Sequence, residues 1–181
     1  NRLLGSMSLS YQITEWWGLE LRGGTDYYTT TTTGKLYAGG NVRPKGYYSE
    51  ASETFFENNY SFLSTFKKDN LIDKFGGFIT VGGNIMTQNR KKMSINTGDL
   101  LIPNLFSINN SVDKVSVSVD ASEVRRKMNS LYGSLQMNWD GWLFMDVTGR
   151  NDWSSTMSKE NRSYFYPSVS LSAVISDMID K

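Results

Sequence analysis

The fold is decided by the stretch Arg150–Asp177, which reads RNDWSSTMSKENRSYFYPSVSLSAVISD. Its second half alternates between two kinds of side chain: one parity holds Phe165, Pro167, Val169, Leu171, Ala173 and Ile175, and the other holds Tyr164, Tyr166, Ser168, Ser170 and Ser172. Alternation with a period of two is typical of a strand whose two faces meet different surroundings. One face of this strand therefore suits hydrocarbon, and the other suits water.

The same stretch resembles a motif of the SusC/RagA family of TonB-dependent outer-membrane transporters. In that motif a strand ends with Arg-x-Asp-x-Ser-Ser, a short loop follows, and the next strand carries aromatic-Pro-Ser-x-Ser. The matching positions, which the resemblance assigns to the family motif and to the lumen side of a barrel, are Arg150, Asp152, Ser154, Ser155, Tyr166, Pro167, Ser168 and Ser170. Family members often carry Trp near position 173, where this chain has Ala173. The segment Ile102–Ser107 resembles a stretch in the extracellular loops of the family.

Working outward from this stretch, the same alternation predicts six earlier strands. They are Leu3–Ile13, Trp17–Tyr28, Asn59–Lys67, Phe75–Thr87, Ser130–Trp139 and Trp142–Arg150. The pair Asp140-Gly141 predicts a two-residue type I′ turn between the last two, because both central residues of that turn need positive φ. The sequence therefore predicts an all-β chain, an antiparallel up-and-down meander of about seven long strands.

The connections between the predicted strands alternate in length. Short ones are expected at Thr14–Trp16, Lys68–Lys74 and Asp140-Gly141, and a medium one at Asn151–Arg162. The segments Thr29–Asn58 and Gln88–Val124 lack periodicity and are predicted to be long irregular excursions. Short turns at one end and long loops at the other are typical of outer-membrane barrels. We therefore expect a segment of a large transmembrane β-barrel.

Composition excludes several functions. The chain has no cysteine and no histidine, which removes thiol nucleophiles, the usual zinc ligands and a Ser-His-Asp triad. Nothing in the spacing of the carboxylates Asp99, Asp146, Asp152 and Glu160 selects a catalytic pair. The formal net charge of +1 gives no basic field for nucleic acid. We expect no enzyme, no cofactor, no metal and no nucleic-acid partner.

No apolar run approaches the roughly 18 residues of a membrane helix, so strands are the only route across a bilayer. Tryptophans flank two of the predicted short turns and suggest an interfacial girdle there. They are Trp16, Trp17, Trp139 and Trp142. A second girdle is expected at the opposite end, from Tyr27, Tyr28, Trp153, Tyr164, Phe165 and Tyr166.

Two basic clusters remain, Arg90-Lys91-Lys92 and Arg125-Arg126-Lys127. One interpretation is a solvated rim. The other is a contact with the phosphates of an outer-leaflet glycolipid through Lys91, Arg125 and Lys127, which the alternation places on the lipid-facing parity.

The family resemblance implies a 22-stranded plugged barrel that imports glycans or peptides under a TonB-coupled cycle, with a SusD-like surface lipoprotein as partner. Residues 1–181 would be a single segment of that barrel domain, located in the outer membrane of a Gram-negative cell and facing its lipid. The plug, the TonB-contacting segment and the signal peptide are expected to lie outside this sequence.

The alternative is a soluble secreted β-sandwich that binds carbohydrate through surface aromatics such as Tyr47, Tyr48 and Trp153. The side chains of Val169, Leu171 and Ala173 distinguish the two readings. A sandwich buries them between sheets, whereas a barrel wall leaves them bare of protein.

Overall fold

The computed structural model describes residues 1–72, 74–113 and 117–176, without the side chains of residues 69–72. Asp177, the last residue of the stretch quoted first, lies outside the described residues. Among the described residues, no helix is both long and apolar enough to cross a membrane.

Seven strands form one sheet, and each strand pairs with its neighbour in sequence. They are β1 (Arg2–Thr14), β2 (Trp17–Leu36), β3 (Tyr47–Ile72), β4 (Phe75–Asp99), β5 (Ser118–Trp139), β6 (Leu143–Ser154) and β7 (Ser163–Ala173). The order in the sheet is β1-β2-β3-β4-β5-β6-β7, with antiparallel pairing. The predicted seven-stranded meander is confirmed, and β1 and β7 are its edge strands.

The predicted extent of the two irregular excursions was wrong, because both are shorter than expected. Of Thr29–Asn58, only residues 37–46 lie between strands, and of Gln88–Val124 only residues 100–117 do. Apolar and polar side chains do not alternate regularly in these stretches, so a period of two in hydrophobicity could not reveal them. Their backbone groups are nonetheless satisfied by pairing with neighbouring strands, and the β-branched threonines in β2 suit extended structure.

Three smaller boundaries also differ from prediction. The strand expected at Asn59–Lys67 is the middle of the much longer β3, and the turn expected at Lys68–Lys74 shrinks to residues 73–74, of which Asp73 lies outside the described residues. The strand expected from Trp142 begins at Leu143. Connections at residues 15–16, 73–74 and 140–142 are shorter than those at 37–46, 100–117 and 155–162, so the alternation of connection lengths is confirmed.

The predicted type I′ turn is present between β5 and β6. Asp140 has φ of 52° and Gly141 has φ of 76°. The backbone N–H of Trp142 donates to the carbonyl oxygen of Trp139 at 3.2 Å, which closes the turn. The ladder then pairs Trp139 with Leu143, which leaves Trp142 outside the regular pairing and explains the shifted start of β6.

The chain divides into two compact units. The first contains Asn1–Leu4, Asp26–Glu57 and Gln88–Arg125, and the second contains Gly5–Thr25, Asn58–Thr87 and Arg126–Lys181. In the first unit the buried side chains include Tyr48, Phe55 and Leu100. The ring of Phe55 stacks on Tyr28 with centroids 4.9 Å apart, which joins β3 to β2.

In the second unit the strands β5, β6 and β7 carry continuous rows of apolar side chains on one face, which we call the apolar face. The rows are Leu135, Val147 and Val169, then Met137, Met145 and Leu171. Val169 is 70% exposed and Leu171 is 68% exposed, and all seven strands belong to one sheet. A sandwich would cover these side chains with a second sheet, so the sandwich alternative is wrong.

The opposite face of the second unit, which we call the polar face, carries Ser134, Thr148 and Ser168 in one row across β5, β6 and β7. The hydroxyl groups of Thr80 and Ser134 lie 2.5 Å apart, so β4 continues the row. The two faces predicted from the alternation of the sequence are therefore the two faces of this part of the sheet.

Candidate functional site

The motif residues Arg150 and Asp152 belong to a polar cluster on the polar face. The Arg150 Nε donates to Asp152 Oδ1 at 2.9 Å, and its Nη2 donates to Ser130 Oγ at 3.2 Å. The guanidinium carbon lies 5.8 Å from the centre of the Tyr132 ring, a cation–π distance. These four residues, Ser130, Tyr132, Arg150 and Asp152, form what we call the Arg150 cluster.

Pairing between strands explains the cluster. Tyr132 lies opposite Arg150, and Ser130 lies opposite Asp152, in the β5–β6 register. On its other side the Tyr132 ring covers Gly82 in β4, where an added Cβ would lie 2.5 Å from the ring. A side chain at this position would require the Tyr132 ring to move.

The second half of the motif continues the polar face onto β7. Tyr166 lies opposite Arg150, Ser168 opposite Thr148, and Ser170 opposite Asp146. Pro167 pairs with Gly149 and falls on the apolar parity, so it does not share the face of the other motif residues on β7. It has no N–H to donate, which an edge strand tolerates.

The motif serines lie at the end of β6. The Ser155 Oγ accepts a hydrogen bond from the backbone N–H of Lys127 at 2.8 Å, and the hydroxyl groups of Ser154 and Thr156 lie 2.8 Å apart. Both serines are therefore engaged in local structure at the turn, apart from the Arg150 cluster.

A second polar site, which the sequence did not reveal, lies in the first unit. It is a groove of about 660 Å³ lined by residues of four strands, among them Tyr28, Thr30, Glu53, Lys92, Ser94 and Asp120. We call it the polar groove. Its volume is within the range of about 300–1,000 Å³ that small-molecule sites occupy. Hydroxyl groups and charges of both signs make it a surface for a polar ligand.

Glu53 organises the charge in the polar groove. Its carboxylate lies 3.1 Å from Lys92 Nζ and 3.5 Å from Arg90 Nε, and it accepts a hydrogen bond from the Tyr28 hydroxyl at 3.2 Å. The hydrogen bond from Lys92, more than any other contact, lowers the pKa of Glu53 below its usual value. Glu53 is therefore a carboxylate at neutral pH. No sequence signal pointed to this site, because β3 and β4 extend here beyond the predicted strands.

Four cations of the two basic clusters pair with two carboxylates. Arg90 and Lys92 meet Glu53, whereas Lys91 and Arg125 meet Glu123, at 3.7 Å and 2.9 Å respectively. Lys91 thus shares a carboxylate with Arg125 of the other cluster and not with its own neighbours Arg90 and Lys92. The side chain of Lys127 belongs to the second unit and is exposed.

The Ile102–Ser107 segment is part of an ordered loop in the first unit. The Asn104 side chain accepts a hydrogen bond from the backbone N–H of Ala38 at 2.8 Å, and the Phe106 ring packs edge-on against Tyr37 with centroids 5.0 Å apart. These contacts tie the loop to residues 37–46.

The aromatic residues at the Glu15–Trp16 turn form a stack. Trp17 and Phe66 lie 5.8 Å apart between centroids, and Trp16 lies 6.2 Å from Phe66. The Trp17 Nε1 donates to Ser64 Oγ at 2.8 Å, so the polar edge of the indole is satisfied. Aromatic side chains at this position fit the predicted interfacial girdle.

The described residues contain no group of three or more carboxylates that could hold a metal ion. No protein-family model and no curated protein sequence matches the chain. Solved structures do match it. Over 99% of its length the chain is similar to a chain in the "Structure of the RagAB peptide transporter", with a TM-score of 0.84 and 17% identity.

The chain shares its fold with part of the RagAB peptide transporter. The "closed-closed" state of the RagAB peptide importer gives a TM-score of 0.83 at 17% identity over 99% of this chain, and the "open-open" state gives 0.78 at 18% over 93%. The match covers 21%, 21% and 20% of those chains, so this chain spans about a fifth of the structures that it matches. The resemblance to the SusC/RagA family is confirmed at the level of the fold.

Proposed function

We propose that this chain is a segment, residues 1–181, of the membrane-spanning barrel wall of a TonB-dependent transporter in the outer membrane. The observation that supports this most is the bare apolar face of the second unit, with Val169 and Leu171 about two-thirds exposed while the polar face carries serine and threonine. Exposed apolar rows of this kind need lipid, because water would penalise them by roughly 25 cal/mol for each Å².

The faces can be tested with single cysteines, because the chain has none of its own. In the parent protein, with any cysteine elsewhere replaced, Ser134→Cys is expected to react with a water-soluble maleimide in intact outer membranes. Leu135→Cys, one residue further along β5, is expected to be protected until detergent is added. Equal labelling of both positions in membranes would contradict the proposal.

We further infer that the parent protein imports peptides or glycans together with a SusD-like surface lipoprotein, coupled to TonB. The solved structures with the same fold are of a peptide transporter, so peptides are the first substrates to test. Uptake of fluorescent peptides and of oligosaccharides should be compared in cells with and without the parent gene, and with and without TonB. If the deletion strain still took up both the peptides and the oligosaccharides, a role in import would be rejected.

The lumen side of this wall would be formed by the polar face, including the Arg150 cluster, and the polar groove would offer contacts to a polar substrate. Co-purification of a lipoprotein with the tagged parent protein tests the partner. Recovery of the transporter alone, under conditions that preserve its uptake activity, would contradict that partnership.

A further inference from the structure

The apolar face of the second unit contains a groove beside the Glu15–Trp16 turn. Its volume is about 660 Å³, and its apolar lining includes Trp16, Phe66, Phe75, Ile79, Leu135 and Met137. Three charged residues, Glu15, Lys67 and Lys68, also line it. We call it the turn groove.

A glycine is part of the lining of the turn groove. An added Cβ at Gly77 would collide with the carbonyl oxygen of Gln136, so the close approach of β5 excludes any side chain there. Gly77 lies between Phe75 and Ile79 on the apolar parity of β4 and lines the groove with backbone alone, and we call this part of the groove the depression. The stacked rings of Trp16 and Phe66 form one wall of the depression. Leu135 and Met137 of β5 form the other.

The rim of the turn groove carries both positive and negative charges. Lys68 and Glu15 are exposed, and Trp16 is 52% exposed beside them. A lysine ammonium is a good partner for a phosphate, and a carboxylate is a good partner for an ammonium group. The lining and rim together thus match an amphiphile with an apolar chain and a zwitterionic head.

We propose that the turn groove binds a phospholipid with an ethanolamine head group. Its acyl chain would lie in the depression at Gly77, its phosphate would meet Lys68, and its ammonium group would meet Glu15. The groove is at the short-turn end of the strands, which in outer-membrane barrels faces the periplasm and the phospholipid leaflet. This inference rests on the proposed function, because it requires the apolar face to be in a membrane.

The test uses the parent transporter, purified from outer membranes in mild detergent, with retained lipids measured by mass spectrometry. Phosphatidylethanolamine is expected to be retained by the unmodified protein. Lys68→Gln, on the exposed rim, should lower retention about tenfold, the effect of roughly one charge-assisted hydrogen bond. Leu135→Phe, which fills the groove, should lower it too. Leu171→Phe adds the same bulk to the apolar face outside the groove and should leave retention unchanged.

Head-group selectivity provides an independent readout. After reconstitution into vesicles of mixed phosphatidylethanolamine and phosphatidylglycerol, Glu15→Gln should remove the preference for the ethanolamine lipid while total retained lipid stays the same. Unchanged retention in Lys68→Gln and Leu135→Phe, both assembled in the outer membrane, would overturn the groove and leave the proposed function intact. A parent protein absent from the outer membrane would instead overturn the proposed function.

Discussion

Asn110 shows how one side chain can order a loop. It is 5% exposed, and its Nδ2 donates to the carbonyl oxygens of Ile102 at 2.8 Å and Leu105 at 2.7 Å. Its Oδ1 accepts a hydrogen bond from the Ile102 N–H at 2.9 Å. The Asn110 side chain is therefore a scaffold for the loop after β4, because it satisfies backbone groups that strand pairing would otherwise satisfy.

We predict that Asn110→Ala opens this loop without unfolding the sheet. A buried donor or acceptor left without a partner costs about 1–3 kcal/mol, so opening to water becomes the favoured outcome. Hydrogen exchange should show faster exchange of the Ile102 amide and unchanged exchange in β5. The matched control is Asn109→Ala, because Asn109 is exposed. Equal effects of both substitutions would contradict the scaffold role.

Glu123 sets the charge available for the predicted glycolipid contact. It lies in the first unit, outside the apolar rows, and hydrogen bonds from Arg125 and then Asn89 lower its pKa below the usual 4.5. A lowered folded-state pKa means that these contacts stabilise the protein above about pH 4.5 and weaken as the pH falls below it. Protonation of Glu123 would release Arg125 and Lys91.

The glycolipid contact of Lys91, Arg125 and Lys127 stays a prediction, and substitution of Glu123 tests it. Glu123→Gln should raise glycolipid retention on the purified parent protein, up to about tenfold, because two cations lose their carboxylate. Replacing Lys91, Arg125 and Lys127 together by Gln should lower retention without altering substrate uptake. Glu160→Gln, at an exposed loop carboxylate, is the control. Mass spectrometry that finds no change in either variant would leave the clusters as a solvated rim.

Adjacent residues of a strand lie on opposite faces, so the same substitution is expected to have opposite effects at neighbouring positions. Leu135→Lys or Val169→Lys is expected to block barrel assembly in the parent protein, because a cation on the lipid face near the midplane costs about 2–4 kcal/mol. Ser134→Lys and Ser170→Lys, on the polar face, should be tolerated because their charge stays hydrated. Heat-modifiable gel mobility of outer-membrane fractions measures assembly. Equal tolerance at both parities would show that the faces are assigned wrongly.

For the whole molecule, the exposed apolar face and the two edge strands predict that the isolated 181-residue chain does not stay monomeric in water. Leu9, Val169 and Leu171 are each more than 60% exposed, and unpaired edges such as β1 and β7 invite association. We expect aggregation in buffer and a β-type circular dichroism spectrum in detergent micelles. A monomer by size-exclusion chromatography in buffer, with the same β spectrum, would contradict this prediction.

The strand type, the two faces and the tightest turn could be predicted from the amino-acid sequence. Leu135, Met137 and Val169 alternate with serine, glutamine and asparagine, and that alternation is local information because neighbouring side chains of a strand point to opposite sides. Asp140-Gly141 likewise carries its own conformation, since few other residues adopt positive φ in succession. The motif from Arg150 to Ser170 carried the resemblance to a transporter family, which the shared fold confirms.

The length of the strands, and the residues that meet across them, depend on pairing between distant segments of the chain. Residues 29–36 are almost entirely polar, and the aromatic side chains of residues 47–58 come in adjacent pairs and do not alternate. Their strand structure therefore depends on the hydrogen bonds of neighbouring strands and leaves no period of two in hydrophobicity. The pairing that places Glu53 beside Lys92, and Glu123 between Lys91 and Arg125, is set by register between distant segments. Register is a property of two strands together, and a single strand's sequence does not contain it.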